Sequence, residues 1–298
     1  MSEPGGEKKE QVERDPADAS LARLRVRFEP ADVRLAPGEL VIVALVYLTP
    51  LLYSVAVSIA NFVYGFDRYR DFTLARLDGW IDHEARDEHL RHAFVPSDAI
   101  WEWFGIASMM LGPVALVLYL AAKANGSWRG GLRSLGVGSR CTLVEFMLGC
   151  LLAVALLVLG SALDALLDVV AGNTGLWWIA LSEIEGPPAP VQGLLALVIV
   201  IPSLILVASG EELICRGFLM PRLLAFGLRP GFVVFASSAV FASYHLYQGL
   251  PGLLGAFLFG AVWGLVYLWT GRLWIAIVAH AVYNVIVILD LVPPWLGG

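Results

Sequence analysis

Residues 204–220 read LILVASGEELICRGFLM. Glu211, Glu212 and Arg216 interrupt a run that is otherwise apolar, and the reading of this stretch decides the fold. A carboxylate or guanidinium at the centre of a membrane helix costs about 2.5–3.5 kcal/mol on insertion scales. Three such groups within so short a stretch need a reason. The candidates are a buried ion pair, an ion or proton path, or a catalytic site.

The rest of the chain supports a membrane setting. Of 298 residues, 58% are hydrophobic and only 15% are charged, with a mean hydropathy of +0.73. Soluble domains sit near half apolar and a quarter charged. The net charge of -6 offers no basic excess for nucleic acid. Cys141, Cys150 and Cys215 form no CxxC pair, which argues against a disulfide framework and a zinc knuckle. No cleavable signal peptide is visible, because the apolar runs are preceded by a polar stretch.

The expected fold is all-α, a polytopic transmembrane bundle of about seven helices. Residues 1–37 read as a polar cytoplasmic tail, 38–190 as N-terminal spans with a polar loop at 66–99, and 191–291 as a functional core. Apolar runs at 39–64, 100–122, 142–171, 191–224, 231–248, 252–270 and 273–291 are the candidate spans, the fourth interrupted by Pro202. With the N-terminus inside, fifteen Lys and Arg fall in inner segments against five in outer ones, which favours that orientation.

In the last four spans the polar side chains come in i,i+4 steps, which place two residues on one helix face. Glu212 and Arg216 form one pair, Phe241 and His245 a second, and His280 and Asn284 a third. Glu211 is rotated by about 100° from Glu212, so it cannot share Arg216 equally. Glu212 is therefore the expected partner of Arg216, with Glu211 left to face a cavity. At about 1.5 Å per residue, Glu211 lies roughly 22 Å from the inner end of its helix and His280 roughly 12 Å from the start of the last one. Tilt and kinks are expected to remove that difference.

A carboxylate and an imidazole that share a water can activate it as a nucleophile. A second imidazole and an amide can hold a developing oxyanion. Glu211, His245, His280 and Asn284 supply this equipment. Glu211, His245 and His280 are also a conceivable zinc set, since carboxylate and imidazole are common ligands. A metal-free site is expected, because no fourth protein ligand is evident and Asn is a poor one.

The three motifs EExxxR (Glu211, Glu212, Arg216), FxxxH (Phe241, His245) and HxxxN (His280, Asn284), in this order, resemble the CPBP intramembrane proteases. These are the CAAX-processing Rce1-type and bacteriocin-processing (Abi) proteins. The segment GAVWGLVYLWTGRLWIAIVAH at 260–280 is also similar to the family's approach to its last histidine. The resemblance covers about residues 191–291. It implies an intramembrane endopeptidase in which Glu211 activates water, His245 helps to position it, and His280 and Asn284 stabilise the oxyanion. Glu212, Arg216 and Phe241 are implied supporting residues. The implied partners are the bilayer and a membrane-associated protein or peptide; the short loops and compact size point to a bacterial cytoplasmic (inner) membrane.

Plainer readings exist for each group. Glu211 and Glu212 could be a solvated interfacial pair, but apolar residues flank both sides. His245 lies beside Tyr244 and Tyr247 as an interfacial histidine would, and Asn284 could merely bridge helices. Cys215 reads as a small buried apolar residue. Trp177, Trp178 and Trp274 read as interfacial belt. His83, His89 and His92 read as a solvated face. Two other classes use similar residues: a non-proteolytic immunity or scaffold factor on the same fold, and a transporter. A transporter has no need of all three motifs together.

Overall fold

A computed structural model describes residues 96–180 and 196–289, together with four helical positions between 52 and 59. The expected tail, the bulk of the first span, the loop histidines His83, His89 and His92, and residues 181–195 lie outside the described residues.

Seven helices follow one another among the described residues, and no strand occurs. They are α1 (Pro96–Ala124), α2 (Trp128–Ser134) and α3 (Leu143–Thr174). Helix α4 then runs continuously through Ala196–Val200, Ile201–Glu212, Leu213–Leu219 and Met220–Ala225. Next come α5 (Pro230–Ser243), α6 (Gly249–Thr270) and α7 (Trp274–Ile288).

By length and apolarity α3, the 198–225 part of α4, and residues 246–270 ending α6 can each cross a bilayer. Met109–Ala124 of α1 qualifies together with α2, from which it is bent by 108°. The chain is thus an integral membrane helical bundle. The expected spans five and seven are shorter than read: α5 has 14 residues and α7 has 15. At about 1.5 Å per residue they reach only about 21–23 Å, against a hydrocarbon core of about 30 Å. Apolar composition continues past Ser243, but the backbone turns there, so hydropathy overstated the fifth span. Helix α2 lies between the expected spans at 100–122 and 142–171. Ser127 caps it by accepting from the Gly130 N–H.

Pro202 does not interrupt α4. It sits at the start of the α-helical part, directly after the wider π-helical turn Ala196–Val200. A proline removes one helical N–H and crowds the preceding turn, and a wider turn relieves that crowding. The larger irregularity comes later, in the π-helical stretch Leu213–Leu219. One carbonyl in it, that of Cys215, accepts the Ser237 hydroxyl of α5 at 2.9 Å. A serine from a neighbouring helix is a common membrane solution for such a group.

One end of the bundle is fastened by a polar clasp. Thr142 caps α3 in a reciprocal box with Glu145. Glu145 also pairs with Arg272 in the α6–α7 turn, whose guanidinium donates to the Arg140 carbonyl at 3.0 Å. Trp274 Nε1 donates to the Ser139 carbonyl, and the Leu273 N–H donates to the Gly136 carbonyl. The α2–α3 and α6–α7 connections therefore lie at the same end, as alternating spans require. Above the clasp α3 and α7 approach closely. A Cβ on Gly149 would come within 2.6 Å of the Val278 side chain, so only glycine fits.

Helices α4 and α7 run antiparallel. Val200 and Leu204 pack with Val285 and Ile288, while Ile214 and Phe218 share a cluster with Leu273 and Ile277. The level of Gly217 is set by Leu273, whose Cδ1 would lie 2.8 Å from a Cβ there. Helix α7 thus begins about two turns above the end of α4, not level with it. From Gly217 up to Glu211, and from Leu273 up to His280, the climb is about 9–11 Å in both helices. This stagger removes the depth difference expected from sequence.

Candidate active site

Glu211 and Glu212 are the last α-helical residues of α4 before its π-helical stretch, and Arg216 lies within that stretch. Glu212 and Arg216 have no solvent exposure, and Arg216 Nη1 donates to Glu212 Oε1 at 3.0 Å. The acid-first i,i+4 order brings the pair together, as expected from sequence. Burial of two charges requires such pairing, because an isolated ion in a low-dielectric interior is strongly disfavoured.

The guanidinium is held by more than its carboxylate. Its Cζ lies 4.6 Å from the centre of the Phe241 ring and 5.5 Å from that of Trp263. Both are cation–π distances. Room for it comes from Gly260 of α6, where a Cβ would sit 2.8 Å from Arg216 Nη2. An apolar stripe of α6, with Ala256, Phe259, Gly260 and Trp263 at helical spacing, faces this centre.

His280 of α7 joins the two glutamates. Its Nδ1 lies 3.1 Å from Glu212 Oε1, and its Nε2 lies 3.5 Å from Glu211 Oε2. Glu212 Oε1 already accepts from Arg216 Nη1, and a proton on Nδ1 lets His280 donate to the same oxygen. The order Arg216, Glu212, His280, Glu211 is a buried chain of alternating partners from two helices, in which Glu212 and His280 are 68 positions apart in sequence. The His280 ring is stacked on Trp263, with centroids 4.3 Å apart and planes 20° from parallel. Phe241 meets it edge-on at 5.6 Å.

His245 stands apart from this chain. It lies just past the end of α5, in the turn leading to Leu246–Gln248. Its Nδ1 is 3.1 Å from the Phe241 carbonyl, and its ring packs on the Phe241 ring at 4.7 Å. A carbonyl only accepts, so Nδ1 donates and Nε2 remains an acceptor. Among the described residues His245 forms no ion pair with Glu211 or Glu212. Asn284 lies one turn beyond His280 on α7, half-buried.

Three features were not read from the sequence. Glu212 serves His280 as well as Arg216, His280 rather than His245 reaches Glu211, and Trp263 is part of the centre. The sequence signal for Trp263 was its place between Gly260 and Gly264 on the buried face of α6. Cys215 is fully buried beside this cluster, as its apolar reading implied.

Glu211, His245 and His280, the conceivable zinc set, do not form a group of three around one point. Among the described residues no three His, Cys, Asp or Glu side chains converge on a possible metal position.

The bundle and its buried polar chain define an integral membrane protein with a site assembled between helices. Residues 193–286 match the family described as type II CAAX prenyl endopeptidase Rce1-like. The match covers about a third of the chain and is a likeness to that family, whose description names an endopeptidase. The matched segment contains Glu211, Glu212, Arg216, Phe241, His245, Trp263, His280 and Asn284. No curated protein and no solved structure gives a match.

Proposed function

We propose that this chain is an intramembrane endopeptidase that hydrolyses a peptide bond in a membrane-associated protein or peptide. The observation that carries this reading is the convergence of Glu211, Glu212, Arg216 and His280 in one buried chain. A bundle held by apolar packing has no need of four ionisable groups at its centre, and intramembrane ionisable residues are by default functional.

In this reading Glu211 takes a proton from water, and the resulting hydroxide attacks the scissile carbonyl. His245, with Nε2 left as an acceptor, orients the same water from the α5–α6 turn. The proton passes from Glu211 to His280 Nε2, the nearest acceptor at 3.5 Å. His280 then donates towards the oxyanion, with the Asn284 amide beside it one helical turn away. Collapse of the tetrahedral intermediate breaks the C–N bond and delivers the proton from His280 to the leaving amine, so the charge of the site is the same after turnover as before it. Glu212 and Arg216 hold the geometry. No step requires a metal ion.

The family description names prenylated CAAX substrates, which makes a prenylated CAAX peptide the first probe. Reconstituted wild-type protein is expected to cleave an internally quenched prenylated peptide, and Glu211→Gln to cleave none while staying folded. Cleavage by Glu211→Gln at the wild-type rate would refute the assignment of the base.

A further inference from the structure

We infer that Trp263 is a positioning residue that sets the plane of the His280 ring, so that Nδ1 stays on Glu212 and Nε2 stays on Glu211. The inference rests on the protease reading, since it assigns a role in the same site. Trp263 is 1% exposed and lies on α6, a helix that supplies none of the polar groups of the site.

The geometry leads to this role directly. The two contacts of His280 go to carboxylates on adjacent residues of α4, at 3.1 and 3.5 Å. Both are met in only one ring orientation. Half a turn about χ2 exchanges ring nitrogens for ring carbons and loses both partners together. Hydrogen bonds alone leave that rotation open whenever Glu211 changes protonation during turnover. A stacked indole at 4.3 Å and 20° closes it, because an imidazole rotating out of plane would collide with the indole face. Trp263 is itself held by Phe241 at 5.7 Å and Phe259 at 6.1 Å, both inclined to it. Phe241 closes a further side of the imidazole with its edge. The indole face is thus a fixed wall.

The consequence is specific to turnover. Displacing a reacting group by about 1 Å can cost on the order of 100-fold in rate. Trp263→Leu is therefore expected to lower kcat about 10- to 100-fold with KM nearly unchanged, because Trp263, 1% exposed, offers almost no open surface for binding. Trp263→Phe keeps a flat ring and is expected to recover much of the rate.

The test combines kinetics on the quenched prenylated peptide with nuclear magnetic resonance of isotope-labelled histidine in the full chain in micelles. The His280 signal is assigned by its loss in His280→Gln. In wild type and Trp263→Phe it is expected to show a single Nδ1–H tautomer, and in Trp263→Leu a mixture, in step with the fall in kcat. An unchanged His280 signal in Trp263→Leu overturns the positioning role, and so does a disordered ring with wild-type turnover. A wild-type protein that cleaves nothing overturns the protease reading instead. The two failures are distinguishable because the ring signal is read without substrate.

Discussion

Gly260 and Gly264 lie one turn apart on the same face of α6, yet replacing each by alanine should have opposite effects. At Gly260 the new Cβ would sit 2.8 Å from Arg216 Nη2, and 3.3 Å from both Phe241 Cδ1 and Ser238 Cα. The guanidinium cannot swing away freely, because it is fully buried, stacked on Phe241 and bonded to Glu212. Overpacking of this kind costs about 1–3 kcal/mol. At Gly264 the nearest atoms are Met220 Sδ and Val234 Cγ1 at 3.5 Å and Met220 Cε at 3.6 Å, which are ordinary contacts. There the methyl is buried without strain, and the glycine penalty in a helix, at most about 1 kcal/mol, is removed. Gly264→Ala should be neutral to stabilising by about 1 kcal/mol, so the two variants should differ by about 1–4 kcal/mol. Unfolding of the purified proteins in mixed micelles of a mild detergent and dodecyl sulfate, followed by tryptophan fluorescence, measures the difference. Equal midpoints, or Gly260→Ala the more stable, would refute the claim that Gly260 exists to admit the guanidinium.

Further outcomes follow from the same contacts. Arg216→Met leaves Glu212 buried without its cation and should cost about 3–5 kcal/mol; the double variant with Glu212→Gln should recover part of this in the same unfolding assay. Thr142→Ala removes a helix cap at the clasp end and should cost about 1 kcal/mol, with no change in kcat. Because no three His, Cys, Asp or Glu side chains among the described residues converge on a metal position, metal chelators should leave peptide cleavage unchanged. Loss of activity on chelation, restored by zinc alone, would reverse that reading.

Much of the architecture was legible because burying charge in a membrane is costly. That cost singled out Glu211, Glu212 and Arg216, and the i,i+4 rule paired the last two correctly. Hydropathy located the helices but misjudged two lengths. It cannot see where a backbone turns, and the residues after Ser243 remain apolar through the turn that carries His245. It also read Pro202 as a break, although a wider turn absorbs it. The relation between α4 and α7 was not legible, because the stagger that levels His280 with the glutamates depends on which residue Leu273 packs against. For the same reason the sequence could not show that His280 rather than His245 reaches Glu211. Trp263 was missed because one tryptophan among ten looks like lipid-facing belt until its neighbours across α5 and α7 are known.

The central claim is that Glu211 activates water to cut a peptide bond. Mapping of protein termini in membranes expressing wild-type or Glu211→Ala protein at equal levels tests it most directly. The account predicts at least one new terminus that is present with wild type and absent with the variant. Identical termini in the two membranes, with both proteins folded, would contradict it.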